Sequence, residues 1–342
     1  MSKKLYIMKK LAIISMMMLS IISCKEKASK SNATSGDKED VSTVGTQIPL
    51  KTYAEISIKE GGHWEDREYI DGHFKNVNAV NVPAEHTDHS WFLRYEGPGW
   101  ENNQIGYRLY LDWRNAIDIY GKKVDSLVLP YVGQDGFDSY HEDADWGQDI
   151  LKAGKSMGIG GYGRIVADTV AHFRTVENTS ATVENTDDSS SVAIGYKGWS
   201  TGNETIDLNA VLTIYKQDRY TKATLTPSKA ITGVCTGIVK HGIPLQKKEG
   251  EEWAYIATYG EQTLVSPPDN LGMAVFYKLD EVAEQKEGKD DFLVIFKPTT
   301  TAISYYFLGA WEQEKNGIKD KASFYLDLDK KLQTLENKGQ LN

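Results

Sequence analysis

Only two cysteines stand among the 342 residues, Cys24 and Cys235. If Cys24 closes a leader segment, Cys235 has no partner, and an internal disulfide is excluded. Long apolar runs are lacking as well. The longest, Leu11 to Ser23, covers about 13 residues, too few for a comfortable membrane span. Positive charge is scarce. The formal net charge is −9, and removal of Lys3, Lys4, Lys9 and Lys10 with a leader takes it to −13. That balance argues against a duplex nucleic-acid binder, which needs a basic footprint. It leaves an anionic small substrate open, because a local basic pocket can sit on an acidic protein. No Gly-x-Ser-x-Gly elbow occurs, so an α/β-hydrolase has no support. The glycine-rich Gly158-Ile159-Gly160-Gly161-Tyr162-Gly163 lacks the preceding strand and opening helix of a dinucleotide loop. No internal repeat is present. Charged residues make up 25%, which excludes global disorder, and 40% hydrophobic residues suffice for a large core.

Aromatic residues are abundant. There are 19 Tyr, 8 Trp and 9 Phe against 9 Pro, a balance that suits β-structure and surfaces that stack on sugars. Lys9 and Lys10, then the apolar run, then a small residue before Cys24, read as an export signal. Ile21-Ile22-Ser23-Cys24 resembles a bacterial lipoprotein cleavage box, which makes Cys24 the expected lipid anchor to a membrane. The alternative is a plain secretory leader. Met8 can serve as the start, with Met8-Lys9-Lys10 as its opening. Residues 1–24 are then the signal peptide and residues 25–46 a flexible tether, rich in Ser, Thr, Lys, Asp and Glu and free of aromatics. Lys25-Glu26-Lys27 resembles the surface-export signal of Bacteroidetes lipoproteins. The expected location is the outer membrane, on its periplasmic face or at the cell surface.

Residues 47–342 read as one all-β domain, a large antiparallel sandwich with a few short helices. Ile105, Tyr107, Leu109 and Leu111 alternate with Gly106, Arg108, Tyr110 and Asp112, so the two sets face opposite sides of one strand. Further strands are expected at Ser191–Tyr196, Ile206–Tyr215, Tyr220–Leu225, Trp253–Tyr259, Met273–Lys278, Phe292–Lys297 and Ala302–Leu308. Helices are expected at Asp145–Lys155 and Ile318–Lys338. Cys235, in a strand-like run, reads as a buried structural thiol.

The stretch from Ser90 to Gly163 carries the chemistry. Acid–base chemistry on an anionic ligand needs a cation to hold the anion, a base to take a proton and an acid to give one. Arg108 offers a bidentate fork for a carboxylate; its plainer alternative is a pair with Asp112 or Glu101. His141 is the first acid–base candidate, since histidine titrates nearest neutrality. His241, at a strand end beside Lys240, is the second, with Lys240 as a carboxylate or sulfate contact. Tyr107 and Tyr140 offer phenols as acid or base. Trp100 and Trp146 offer stacking faces for sugar rings; Glu101, Asn102 and Asn103 offer hydrogen bonds to hydroxyls. Asp149 and Lys152, three apart on the expected helix, read as a surface ion pair. His86-Thr87-Asp88-His89 has a spacing that can bind metal, but the sequence fixes no third ligand, and the cofactor stays unknown. The acidic run Asp135, Asp138, Glu142, Asp143 and Asp145 lacks regular calcium-loop spacing.

Several short motifs occur in order: Trp100-Glu101-Asn102, Tyr107-Arg108, Ile117-Asp118-Ile119-Tyr120-Gly121-Lys122-Lys123, Tyr140-His141, Asp149-Ile150-Leu151-Lys152-Ala153-Gly154, Gly158-Ile159-Gly160-Gly161 and Val239-Lys240-His241. This series resembles a domain-of-unknown-function family found in carbohydrate-utilisation clusters of Bacteroidetes. The resemblance spans most of the body and is dense in the Ser90–Gly163 third. It implies a galactose-mutarotase-like supersandwich. It also implies a carbon–oxygen lyase activity like that of a dehydratase of ulvan oligosaccharides, acting on a chain that ends in an unsaturated uronic acid. Two other functions fit the residues: a non-catalytic glycan-binding lipoprotein, and a mutarotase-like sugar epimerase.

Overall fold

The computed structural model describes residues 51–342 other than Asp138. The expected leader, Cys24 and the tether lie outside the described residues. Within them, no helix is long and apolar enough to cross a membrane.

Every strand pair is antiparallel, and three sheets make the body. The largest has nine strands, in spatial order Gln246–Glu249, Trp253–Glu261, Asn270–Lys278, Ile303–Trp311, Thr221–Pro227, Glu204–Tyr215, Ser189–Thr201, Asn178–Asn185 and Ala79–Asn81. A six-stranded sheet runs His73–Val77, Thr52–Glu60, Gly99–Asn102, Ile105–Leu109, Ile117–Lys122 and Gly147–Asp149. A five-stranded sheet runs Thr169–Ala171, Ile159–Val166, Val234–Val239, Asp291–Phe296 and Val282–Glu287. The two smaller sheets pack on the nine-stranded one. A single core joins Val192, Leu208, Val275 and Phe307 of the large sheet to Trp100, Tyr107 and Ile119 of the six-stranded sheet and Ile238 and Val294 of the five-stranded sheet. The all-β sandwich expected from the sequence is the fold, and each expected strand lies within or overlaps an observed one.

Alternation explains the exposed half of the large sheet. In Glu204–Tyr215, Ile206, Leu208, Ala210, Leu212 and Ile214 point inward and are buried, while Thr205, Asp207 and Asn209 face water. Asn270–Lys278 is instead buried on both sides. Met273 and Val275 enter the sandwich core, and Ala274 and Phe276 meet the helix Lys321–Lys338. That helix places Phe324, Leu328, Leu332 and Leu335 on one face. Asp320 caps it, accepting from the Ser323 amide at 2.9 Å, and Gly339 ends it at φ +73°.

The second expected helix, Asp145–Lys155, does not form. The chain is extended there, and Gly147–Asp149 is the edge strand of the six-stranded sheet. Gly147 sits at φ +128°, and a Cβ at that position would lie 1.8 Å from the Gly121 carbonyl oxygen. Ile150 and Leu151, adjacent in sequence, are both buried, which suits this extended segment between two packed layers. Gly158–Gly163, expected to end that helix, opens the strand Ile159–Val166 instead.

Candidate functional site

The six-stranded sheet has two unlike faces. Its inner face is apolar and joins the core. Its outer face carries charge: Glu55, Glu101, Arg108, Asp118 and Asp149 are all at most 2% exposed. Register sets this row. Arg108 lies directly opposite Asp118 on the neighbouring strand, and Tyr120 lies opposite Asp149 on the next. Alternation then sends all four side chains to one side. The segment Ser90–Gly97 and the loop from Val128 to His141 cover them. Covered charges need partners, and they have them. Glu55 pairs with Arg94, Glu101 with Lys122, and Arg108 with both Asp118 and Asp149.

Arg108 is the hub. One terminal nitrogen donates to Asp149 Oδ2 at 2.6 Å, to Asp118 Oδ2 at 3.1 Å and to the Tyr110 hydroxyl at 2.7 Å. The other donates to the Tyr140 hydroxyl at 3.0 Å. The rings of Tyr110 and Tyr140 lie 4.6 and 5.1 Å from the guanidinium carbon. Two carboxylates therefore share one cation in a buried space. Burial, and then the charge of Asp149, push the Asp118 carboxyl up to about 7. The Tyr110 hydroxyl donates to Asp118 Oδ2, and burial raises that phenol well above its usual range.

His141 stands at the rim of this network. Its Nδ1 lies 3.4 Å from Asp149 Oδ2, and its side chain is 34% exposed against 1% for Asp149. The histidine thus has a buried carboxylate within ion-pair range of Nδ1. Phe137 packs against the same ring at 5.3 Å between centroids. A second histidine, His89, meets Phe137 at 5.2 Å, and Trp91 meets it at 4.8 Å. His89 is 53% exposed, with Nδ1 3.7 Å from Asp88 Oδ2 and 4.0 Å from Glu96 Oε1. Two partly exposed imidazoles thus pack against the same Phe137 ring, each beside a carboxylate.

The backbone of this rim is strained. Four of the ten described non-glycine residues with positive φ fall between His89 and Glu96: His89, Trp91, Tyr95 and Glu96. Buried Glu96 holds the segment in place. Its Oε1 accepts from the His89 amide at 3.0 Å and from Arg114 at 2.6 Å. Its Oε2 lies 4.0 Å from Arg108, and no hydrogen bond to it is formed among the described residues.

The structure redistributes the residues singled out from sequence. Arg108, expected to grip a substrate carboxylate, is 1% exposed and committed to internal partners, so it positions rather than grips. Its partners are Asp118 and Asp149, not Asp112 or Glu101; Asp112 turns away to pair with Arg114. Asp149, expected in a surface pair with Lys152, is the buried link between Arg108 and His141. Tyr140 belongs to the site but is buried, with its hydroxyl bonded to Arg108 and its ring 4.4 Å from His141. Trp146 is half-buried against Tyr120, at the edge of the same aromatic group.

Tyr107 and Trp100 face the core. Tyr107 is fully buried, donates to the Arg219 carbonyl at 2.7 Å and accepts from the Gly309 amide at 3.0 Å. Trp100 stacks on Tyr107 and donates to Thr221 Oγ1 at 2.9 Å, which leaves no face for a sugar. Glu101 accepts from Lys122 and from the Val128 and Leu129 amides. Asn102 ties the Gln104 amide to the Tyr215 and Asp218 carbonyls. Both hold loops rather than ligands. Lys240 pairs with Glu287 at 2.7 Å, in a separate hollow that Pro244 and Phe292 also line. His241 is half-buried and donates to the Lys152 carbonyl at 2.9 Å. No described contact joins either residue to Arg108 or His141.

His86 and His89 do not converge. His86 is buried and bonds Ser90 Oγ at 2.6 Å, while His89 opens to solvent. Among the described residues, no group of three or more His, Cys, Asp or Glu is arranged to hold a metal ion. In the acidic run, Asp143 pairs with Lys123, and Asp138 lies outside the described residues. Cys235 is buried, and burial pushes its thiol far up, as suits a structural residue.

Sequence reasoning missed Glu96, Asp118, Trp91 and Phe137, and read His89 only as a metal ligand. One signal was available for Asp118. Its two apolar neighbours, Ile117 and Ile119, point inward, so it must share the outward face with Tyr120.

A family profile described as domain of unknown function, DUF4861, matches residues 27–340. The chain belongs to this family. The matched span takes in both histidines of the rim, the Arg108 network and nearly all of the sandwich. No curated protein matches the chain.

Proposed function

We propose that the protein is a carbon–oxygen lyase, a dehydratase acting on the unsaturated uronic acid end of ulvan-type oligosaccharides. The observation that carries the reading is the pair of partly exposed imidazoles, His141 and His89, packed against the same Phe137 ring, with buried Asp149 beside His141. Elimination of water needs two proton-handling groups near one ring. His141, through Nε2, takes the proton from a carbon of the sugar. The C–H electrons form the new double bond, and the C–O bond breaks. His89 delivers a proton to the departing hydroxyl, which leaves as water. Trp91 and Phe137 supply apolar surface for the C–H faces of the sugar. Arg108 acts at one remove: it holds Asp149, and Asp149 holds His141. The family resemblance in the ordered motifs supports the substrate class. The Leu11–Ser23 run and Cys24 support an envelope lipoprotein tethered to the outer membrane.

The test is a mass spectrum of lyase-generated unsaturated ulvan oligosaccharides after incubation with the protein. Loss of one water from the oligosaccharide is expected. An unchanged mass with a changed anomer or epimer ratio would overturn dehydration in favour of epimerisation. An unchanged substrate that binds tightly would overturn it in favour of a glycan-binding lipoprotein.

A further inference from the structure

The chain has seven arginines. Five of them, Arg94, Arg108, Arg114, Arg164 and Arg219, pair with carboxylates. Arg67 and Arg174 form no ion pair among the described residues, and both line the same cleft, a space of about 710 Å³. That volume falls within the range of small-molecule sites, roughly 300–1,000 Å³.

Both side chains are exposed, and each makes one contact that orients its guanidinium. Arg174 lies flat on Trp113, its central carbon 3.7 Å from the ring centroid, and Trp113 is itself pinned by a 2.9 Å hydrogen bond from Nε1 to Asp88 Oδ1. Arg67 donates to the His86 carbonyl at 3.1 Å. Neither carboxylate of the cleft wall neutralises these arginines. Asp112 belongs to Arg114, and Glu177, which also lines the cleft, forms no ion pair with either arginine among the described residues. Two oriented cations with no ion-pair partner among the described residues, on a protein of net charge −9, form a site suited to an anion.

The cleft also adjoins the segment that carries His89. Its wall includes His86 and Thr87. Asp88, the next residue, holds Trp113 through one oxygen and faces His89 with the other.

We infer that the Arg67–Trp113–Arg174 cleft binds an anionic group, carboxylate or sulfate, on a sugar adjoining the one that reacts between His89 and His141. The inference rests on the oligosaccharide reading given above and extends it. Arg108 is closed off, so these two arginines supply the grip on the acidic chain, and the protein favours oligosaccharides over single sugars.

Calorimetry with a saturated tetrasaccharide of alternating uronate and sulfated sugar tests this directly, because such a chain binds without turnover. The R67Q/R174Q variant is expected to bind about tenfold more weakly than wild type, with a shallower salt dependence and an unchanged Tm. On the unsaturated oligosaccharide, its KM rises while kcat holds. A desulfated ligand and a carboxyl-reduced ligand separate the two anions: the one whose removal abolishes the difference between wild type and variant is the group held. Affinity and KM within twofold of wild type would overturn the inference, even with dehydration intact. So would failure of the wild type to bind any of these ligands. Arginine-dependent binding without loss of water by the wild type would keep the cleft and overturn the dehydratase.

Discussion

Replacing His141 with Ala is expected to lower kcat for loss of water by about a thousandfold, within the usual range for removal of a general acid or base. KM and Tm are expected to stay close to wild type. The side chain is 34% exposed, and its one ion-pair contact among the described residues is Asp149, so its loss leaves no large cavity. Asp149 keeps Arg108 as a partner, so no buried charge is orphaned. Rate measurements, calorimetry and a thermal melt on the same preparation separate these quantities. A kcat within threefold of wild type would remove His141 from the chemistry. A fallen Tm would assign it a structural role instead.

The largest loss of stability is expected at Arg108. In R108M, Asp118 and Asp149 stay buried without their shared cation. Breaking a buried ion pair from one side costs about 3–5 kcal/mol. For a body of this size, that lowers Tm by roughly 5–8 °C. The methionine fills similar volume, so the loss reports charge rather than space. Adding D118N and D149N removes the stranded charges and is expected to recover much of the Tm. A single variant as stable as wild type would show that the network contributes little to the fold. A triple variant no better than the single one would show that packing around the guanidinium, rather than its charge, is what matters.

These two residues also mark how far the sequence could be read. Period-2 alternation placed Arg108 and Tyr110 on one strand face and Tyr107 on the other, and the structure keeps that division. Alternation does not say which face is core. Tyr107 and Arg108 were both offered as site residues, yet they point to opposite sides of one sheet, and only Arg108 reaches the site. Trp100 and Glu101 were misjudged for a related reason: both faces of the sheet are covered, so a polar side chain there is held by protein instead of facing a ligand. Asp149 reads as helical because Asp145–Lys155 has no proline, and its glycines, Gly147 and Gly154, weaken a helix without forbidding one. The close approach of Gly147 to the Gly121 carbonyl, which favours a strand, is visible only in three dimensions. His89 and Phe137 lie 48 positions apart, and only the fold brings them together. Lys240 and His241 show the converse: a strand end followed by Gly242 and Pro244 looks like a cleft rim, but this rim belongs to another hollow.

The site itself can be located without assuming any reaction. The chain has seven histidines, few enough to resolve singly by NMR after isotope labelling of histidine. Titration with the saturated acidic tetrasaccharide is expected to move the ring signals of His89 and His141 together, while His241 and His63 stay fixed. Movement of His241 with His89 and His141 unchanged would contradict the account and move the ligand to the hollow beside Lys240.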